Sequence, residues 1–196
     1  MNPARKVMLA VCALAASHAV LPNAALAQSA DRVARQAAGL ERIAGALGDW
    51  QSAPLRWDEK RGDWALASAN AAVLRISFHR MGHGKAYRLT LDSPAYKVDG
   101  FLTYDVWTDR YVLVSLDDVI GQIDVQQGRF TDGQLVLDNL KADTTYEARS
   151  STLHTRVALQ FADAALVAIQ VDSSPDRGQT WRPTSLYRVE RTAPAD

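Results

Sequence analysis

Hydrophobic and polar positions repeat every three to four residues over 28–48 and every two residues from Trp50 onward. The first pattern is typical of an amphipathic helix, and the second of strands with one buried face. The apolar positions of the helical stretch are Val33, Ala37, Leu40, Ala44 and Leu47. Ser29 or Asp31 can cap the start of this helix, and Gly48 can end it. We therefore predict one short helix over 28–48 that packs on a larger domain.

The two-residue alternation recurs along the rest of the chain and predicts roughly eight to ten strands. The clearest cases are 74–79 and 87–92, in which every second side chain is apolar. Further strands are predicted over 111–116, 120–125, 134–138, 154–161, 166–171 and 181–189. Of these, 111–116 is apolar on both faces, which is typical of a strand that is covered on both sides.

The turn signals between these stretches predict antiparallel hairpins. Asp132-Gly133 suits a two-residue hairpin, 175–178 suits a longer hairpin loop, and Asp99-Gly100 marks a further turn or a bulge. An open meander of this length would leave exposed edges, which closure removes. We therefore predict an all-β fold, an antiparallel up-and-down meander that closes into a barrel over 49–191. A disordered tail over 192–196 would follow it.

The first 27 residues have the three parts of a cleavable export signal. Arg5 and Lys6 give a positive start, 7–16 is apolar, and 25–27 reads Ala-Leu-Ala, which suits a signal peptidase. We predict cleavage after residue 27 and a protein that works in the periplasm or the medium. Retention as a membrane anchor and lipid modification at Cys12 are the alternatives.

Charge and cysteine content narrow the expected partners. Without this leader the chain would hold 20 Lys and Arg against 22 Asp and Glu, because the leader contains two of the 22 basic residues and none of the acidic ones. The lack of a basic excess argues against nucleic acid as a partner. Cys12 is the only cysteine, so no disulfide is expected beyond the leader. No further apolar run is long enough to span a membrane, and the oligomeric state is left open.

Gly48-Asp49-Trp50 lies between the predicted helix and the first strand. It resembles the Gly-x-Trp signature of lipocalin-like (calycin) barrels. The resemblance implies that Trp50 closes the barrel floor and that an arginine of the last strand lies across its ring. Arg188 and Arg191 are the candidates for this arginine. A guanidinium stacked on an indole is a favourable contact.

The wider pattern is similar to a family of exported bacterial proteins described only as a domain of unknown function. The segments that carry the resemblance are 48–50, 100–105 with Gly-x-x-x-Tyr-Asp, 111–115, and 187–191 with Tyr-Arg-x-x-Arg. The glycine-rich third element of that family has no counterpart in 71–80. The resemblance implies a barrel with an internal cavity and no assigned activity.

The five Trp and six Tyr all lie in the predicted barrel region. Most aromatic side chains are expected in the core, but a barrel of this size can also hold one small ligand. Tyr87, Tyr104, Trp107 and Tyr111 are the candidate ligand-binding residues. The sequence therefore predicts that the lumen binds a small, largely apolar molecule. A structural or protein-interaction module with a packed interior is the alternative.

Catalytic and metal chemistry find little support in the sequence. No nucleophile motif is present, and Asp117-Asp118 is interpreted as a solvated loop. No metal site and no cofactor are predicted from the residues. Some calycin barrels bind haem through a histidine, and His154, at the start of a predicted strand, is the candidate ligand here. A haem-binding barrel and an enzyme of unknown reaction remain as alternatives.

Overall fold

The computed structural model describes residues 21–67, 72–94, 96–148 and 151–192. Most of the predicted leader (1–20) and nearly all of the predicted tail (193–196) therefore lie outside the described residues. Residues 21–27, the end of the predicted leader, belong to a helix. None of the described helices is both long and apolar enough to cross a membrane.

Helix α1 spans Leu21–Glu41, and short 3-10 turns follow at Ala44–Ala46 and Gly82–Gly84. The remaining elements of the described chain are fourteen strands. They are β1 (Gly48–Ser52), β2 (Pro54–Asp58), β3 (Asp63–Leu66), β4 (Leu74–Arg80), β5 (Tyr87–Ser93), β6 (Tyr96–Asp105), β7 (Arg110–Asp117), β8 (Gln122–Thr131), β9 (Gln134–Asp138), β10 (Tyr146–Ala148), β11 (Ser151–Ala162), β12 (Ala165–Ser174), β13 (Arg182–Arg188) and β14 (Glu190–Arg191).

The strands form one antiparallel sheet that curls into a half-barrel, with α1 packed against β6. Within the described residues, thirteen strands follow in the hydrogen-bonded order β14-β1-β4-β5-β6-β7-β8-β9-β11-β12-β13-β2-β3, and β10 pairs with β11. Consecutive strands are neighbours from β4 to β9 and from β11 to β13, which confirms the predicted antiparallel meander over these segments.

Two long strands of the sheet are each interrupted by a single residue. Ala53 separates β1 from β2, and Val189 separates β13 from β14. β1 pairs with β14 through Trp50 and Arg191, whereas β2 pairs with β13 through Leu55 and Leu186. The two interruptions divide two strands into four, which is one reason why the described chain has more strands than the eight to ten predicted.

Helix α1 differs from the predicted helix in its bounds and in its buried face. It ends at Glu41 instead of 48, and Val33 is 55% exposed. The chain turns earlier because the residues after the helix enter the core: Ile43 and Ala46 are fully buried, and Gly48 already begins β1. Among the helix residues whose burial is described, the buried ones are Gly39 and Leu40 of the last turn.

The two glycine turn signals have different outcomes. The Asp132-Gly133 hairpin is confirmed, since φ is 50° and 79° at these residues and Thr131 pairs with Gln134. The turn or bulge predicted at Asp99-Gly100 is wrong, because both residues pair regularly in the middle of β6. A Cβ on Gly100 would lie 3.0 Å from the Val114 carbonyl oxygen, so close packing against β7 accounts for glycine here.

Candidate functional site

A cavity of about 320 Å³ lies inside the curl of the sheet. Nine strands and the turn between β7 and β8 supply its lining, most of which is apolar. The lining residues are Phe78, Leu89, Leu91, Val98, Leu102, Leu113, Ser115, Asp117, Ile120, Gln122, Asp124, Gln126, Tyr146, Thr155, Val157, Leu159, Ile169, Val171 and Tyr187. The size and the predominance of apolar side chains are those of a site for one small molecule.

Apart from the two tyrosines, the polar side chains of the lining come from three strands, β7, β8 and β11. They are Ser115, Asp117, Gln122, Asp124, Gln126 and Thr155. Two of these six are carboxylates, and none of the nineteen lining residues of the described chain is Lys, Arg or His. The cavity therefore offers negative charge without a compensating cation in its wall.

Three of these lining residues, Asp124, Gln126 and Thr155, form a hydrogen-bonded group with Asn139 and Thr144, which we call the Asp124 cluster. Asp124 Oδ1 accepts from Asn139 Nδ2 at 3.0 Å and from Thr144 Oγ1 at 2.6 Å. Asp124 Oδ2 accepts from Thr155 Oγ1 at 2.7 Å and from Gln126 Nε2 at 3.0 Å. Four donors thus surround one carboxylate, which compensates for its partial removal from water.

Gln126 is the member of the cluster with an unused polar atom. Its side-chain nitrogen donates to Asp124 and, at 2.8 Å, to Thr155 Oγ1, so two acceptors fix the orientation of the amide. Gln126 is only 3% exposed, and its Oε1 has no hydrogen-bond partner among the described residues. A buried acceptor without a donor is unfavourable unless a ligand or a water supplies one.

The turn between β7 and β8 borders the cavity and carries exposed apolar side chains. Asp117 Oδ1 accepts from the backbone N–H of Val119 at 2.9 Å and of Ile120 at 3.3 Å, which holds the turn together. Val119 and Ile120 are 63% and 65% exposed, and Ile120 also lines the cavity. Asp118 lies exposed in this turn, as predicted, whereas Asp117 is the last residue of β7 and lines the cavity, so the prediction of a solvated loop is wrong for Asp117.

The four aromatic residues predicted to bind a ligand lie together but outside the cavity lining. Tyr87 and Tyr111 are buried and donate their hydroxyls to the carbonyls of Leu40 and Gly39, at 3.0 Å and 2.7 Å. These carbonyls belong to the last turn of α1, where backbone acceptors run out of helical donors. Burial raises the pKa of Tyr111 to about 12.

The other two aromatics of the set lie nearer the surface. Tyr104 packs edge-on against Tyr111, with ring centroids 5.1 Å apart, and its hydroxyl bonds to Asp109. Trp107 is 74% exposed, and Arg32 of helix α1 lies 3.8 Å from its ring centroid. All four therefore contact α1 or the side chains around its end, and their predicted contact with a ligand stays a prediction.

Trp50 and Arg191 form the stacked pair that the Gly-x-Trp resemblance implies. The Arg191 guanidinium carbon lies 4.4 Å from the Trp50 ring centroid, and the indole N–H donates to the Ala46 carbonyl at 2.8 Å. Gly48 admits the guanidinium, because a Cβ there would lie 2.5 Å from Arg191 Nη1. Arg188, the other candidate, is exposed and pairs with Ala168 of β12.

The surroundings of His154 do not fit an open haem ligand. His154 is buried on the opposite face of β11 from Thr155, outside the cavity lining, and its Nε2 lies 3.0 Å from Asp143 Oδ1. The hydrogen bond from His154 is the main cause that lowers the pKa of Asp143, and Arg177 contributes to it. Within the described residues no three His, Cys, Asp or Glu side chains are grouped to hold a metal ion.

Sequence reasoning missed the Asp124 cluster because β8 inverts the expected pattern. Its apolar Ile123 is 60% exposed on the outer face, whereas polar Asp124 and Gln126 face inward. Two-residue alternation shows that the faces differ, but it assigns the apolar one to the core. The register with β7, in which Gln126 pairs with Leu113, is what places Gln126 inside.

Comparison with family models finds no match to this chain, and comparison with curated proteins finds none either.

Proposed function

We propose that this protein binds one small, largely apolar molecule inside a closed β-barrel. The observation that carries the proposal is the cavity of about 320 Å³ with its mainly apolar lining. A natural core is packed with few voids larger than a water molecule, so a space of this size favours a ligand site over a packed structural module. A few polar groups in a mainly apolar lining, as here, are typical of small-molecule pockets.

Closure of the sheet is part of the proposal. β13 and β14 are one residue apart, and they pair with β2 and β1, which are also one residue apart. Continuity across Ala53 and Val189 would join the two ends of the hydrogen-bonded order into a ring. A closed barrel would protect both edges and exclude water from an apolar lumen, as in lipocalin-like carriers.

We propose that the protein acts outside the cytoplasm, after removal of residues 1–27. The support for this is the leader pattern alone, with Arg5 and Lys6 before an apolar stretch and Ala25-Leu26-Ala27 at its end. An exported carrier for an apolar molecule is a coherent combination, because such molecules are poorly soluble in the aqueous space that they must cross.

Filling the cavity tests the proposed function. Val157 lines the cavity from β11, and Val157→Phe adds volume there without adding a polar group. We expect the variant to fold and to bind the fluorescent apolar probe N-phenylnaphthylamine at least about tenfold more weakly, a change of about 1.4 kcal/mol. Native mass spectrometry of the wild type purified from its own host would identify a natural ligand.

Val114→Phe is the matched control, because Val114 lies on the outer face of β7 and is 37% exposed. It should bind the probe as the wild type does. Absence of probe binding to the wild type, or equal binding by both variants and the wild type, would contradict a ligand site in the cavity.

A further inference from the structure

The unused Oε1 of Gln126 restricts the chemistry of the ligand. We propose that the cavity takes an amphiphile whose polar end donates a hydrogen bond and carries no negative charge, such as a long-chain alcohol or amine. This inference rests on the proposed function and specifies its substrate class. The donor would bond to Gln126 Oε1, and the alkyl chain would occupy the apolar part of the cavity.

The orientation of Gln126 makes its oxygen the available atom. Both N–H groups of its amide are used by Asp124 and Thr155, at 3.0 Å and 2.8 Å. Turning the amide over would place its oxygen against Asp124 Oδ2, an acceptor that has no proton to give when ionised. The amide oxygen of this lining residue is therefore a buried acceptor without a partner among the described residues, and only a donor can satisfy it.

The charges of the wall argue against a fatty acid as the ligand. An ionised carboxylate only accepts hydrogen bonds, and this holds both for a fatty-acid head group and for Asp117 and Asp124 of the wall. The head group and these two side chains therefore have no donor to offer one another. None of the nineteen described lining residues supplies a cation to pair with it. Burying an unpaired carboxylate beside two others is strongly unfavourable, whereas a hydroxyl or ammonium group meets acceptors there.

The neighbouring Gln127 provides a matched control within the same strand. Its Oε1 is also buried without a partner among the described residues, but Gln127 is not part of the cavity lining. Adjacent residues of a strand point to opposite faces of the sheet. A substitution that removes the amide of Gln127 therefore removes an unpartnered amide oxygen from the face of β8 that lies outside the cavity.

The test measures displacement of N-phenylnaphthylamine from the whole protein by four probes of similar length: decanol, its isomer methyl nonyl ether, decylamine and decanoate. We expect decanol to bind about tenfold more tightly than the ether, which lacks a donor, and decanoate to bind most weakly. Gln126→Met should abolish the preference for decanol over the ether, whereas Gln127→Met should retain it.

The outcomes separate this inference from the proposed function. Binding of all four probes with equal strength, or preferential binding of decanoate, would overturn the inference and leave the cavity as a ligand site. An unchanged preference in Gln126→Met would show that the hydroxyl of decanol does not bond to Gln126 Oε1, and it would overturn the inference. Failure of every probe to bind would overturn both. If Gln126→Met does not fold, the order of the four probes on the wild type decides.

Discussion

Two tyrosine hydroxyls connect the end of helix α1 to the sheet. Tyr111 donates to Gly39 and Tyr87 to Leu40, and both rings are buried to 2% exposure or less. The Ile43 N–H donates to the carbonyl three residues back, that of Leu40, so the helix tightens as it ends. Tyr87 of β5 therefore adds a second donor to the Leu40 carbonyl, and Tyr111 of β7 supplies a donor to the Gly39 carbonyl at the end of the helix.

Tyr111→Phe should destabilise the protein by about 1–3 kcal/mol, because it leaves the Gly39 carbonyl buried without the donor from β7. Urea unfolding followed by circular dichroism would measure the difference. Tyr146→Phe is the control, since the Tyr146 hydroxyl makes no hydrogen bond to the described residues. Equal stabilities of the two variants would contradict the role of Tyr111 as a donor to the helix.

The difference in stability between the wild type and Tyr111→Phe should depend on pH. Burial raises the pKa of Tyr111 from 10.0 to about 12, so the folded protein retains a proton that the unfolded chain releases. The stability that this group contributes is complete below pH 10.0 and is lost as pH rises towards 12. The wild type should therefore lose stability across this window more steeply than Tyr111→Phe.

At the scale of elements, two glycines allow the end of helix α1 and the turn after it to lie close to the sheet. A Cβ on Gly39 would lie 2.4 Å from Cγ of Tyr104, and one on Gly45 would lie 1.5 Å from the Ala164 carbonyl oxygen. From the sequence alone these glycines weaken the helix. In the structure they have a second effect: because they lack a Cβ, the end of the helix and the following turn can contact the sheet.

Gly39→Ala should therefore act in opposite directions on the isolated helix and on the folded protein. A peptide of 21–41 should gain helicity, because Ala is about 1 kcal/mol more favourable than Gly in a helix. The protein should lose about 1–3 kcal/mol through overpacking against Tyr104. Peptide circular dichroism and urea unfolding would measure the two effects. Gly82→Ala, with open space around it, should leave stability nearly unchanged, and a stabilised Gly39→Ala protein would contradict the argument.

The strands illustrate which elements the sequence could predict. Alternation identified the segments that became β4 and β5, because each has one buried and one exposed face. The hairpin at Asp132-Gly133 was predictable because positive φ at both residues is a local requirement. The prediction of a turn or bulge at Asp99-Gly100 is wrong because the packing of Gly100 against β7 depends on a partner strand that local sequence does not reveal.

The site was less predictable than the fold. The aromatic candidates were chosen by residue type, and they lie around the helix end instead of in the cavity wall. β7 was expected to be covered on both faces, yet Val114 and Leu116 are 37% and 41% exposed on its outer face. Which face of β7 and β8 is inside follows from the register of the whole sheet, so Gln126 could not be found from alternation alone.

At the scale of the whole molecule, the first and last strands meet where Arg191 lies across Trp50. Trp50 is 4% exposed and also donates to Ala46 in the turn after α1, so this one side chain contacts the helix segment, β1 and β14. The Thr192 N–H extends the pairing by donating to the Asp49 carbonyl at 3.0 Å. The chain termini of the sheet are therefore joined by backbone pairing and by one cation–π contact.

Arg191→Gln tests how much that contact contributes to joining the ends of the sheet. We expect a loss of about 0.5–1 kcal/mol in urea unfolding, because the guanidinium is exposed on one side and its attraction to the indole is partly screened. Trp50 fluorescence should change in the folded state, since the cation over the ring is removed. Arg188→Gln is the matched control, an exposed arginine of the adjoining strand with no such contact in the described residues. If both variants lost the same stability, the effect would arise from charge alone, whereas a loss confined to Arg191→Gln would assign it to the stacked pair that joins β14 to β1.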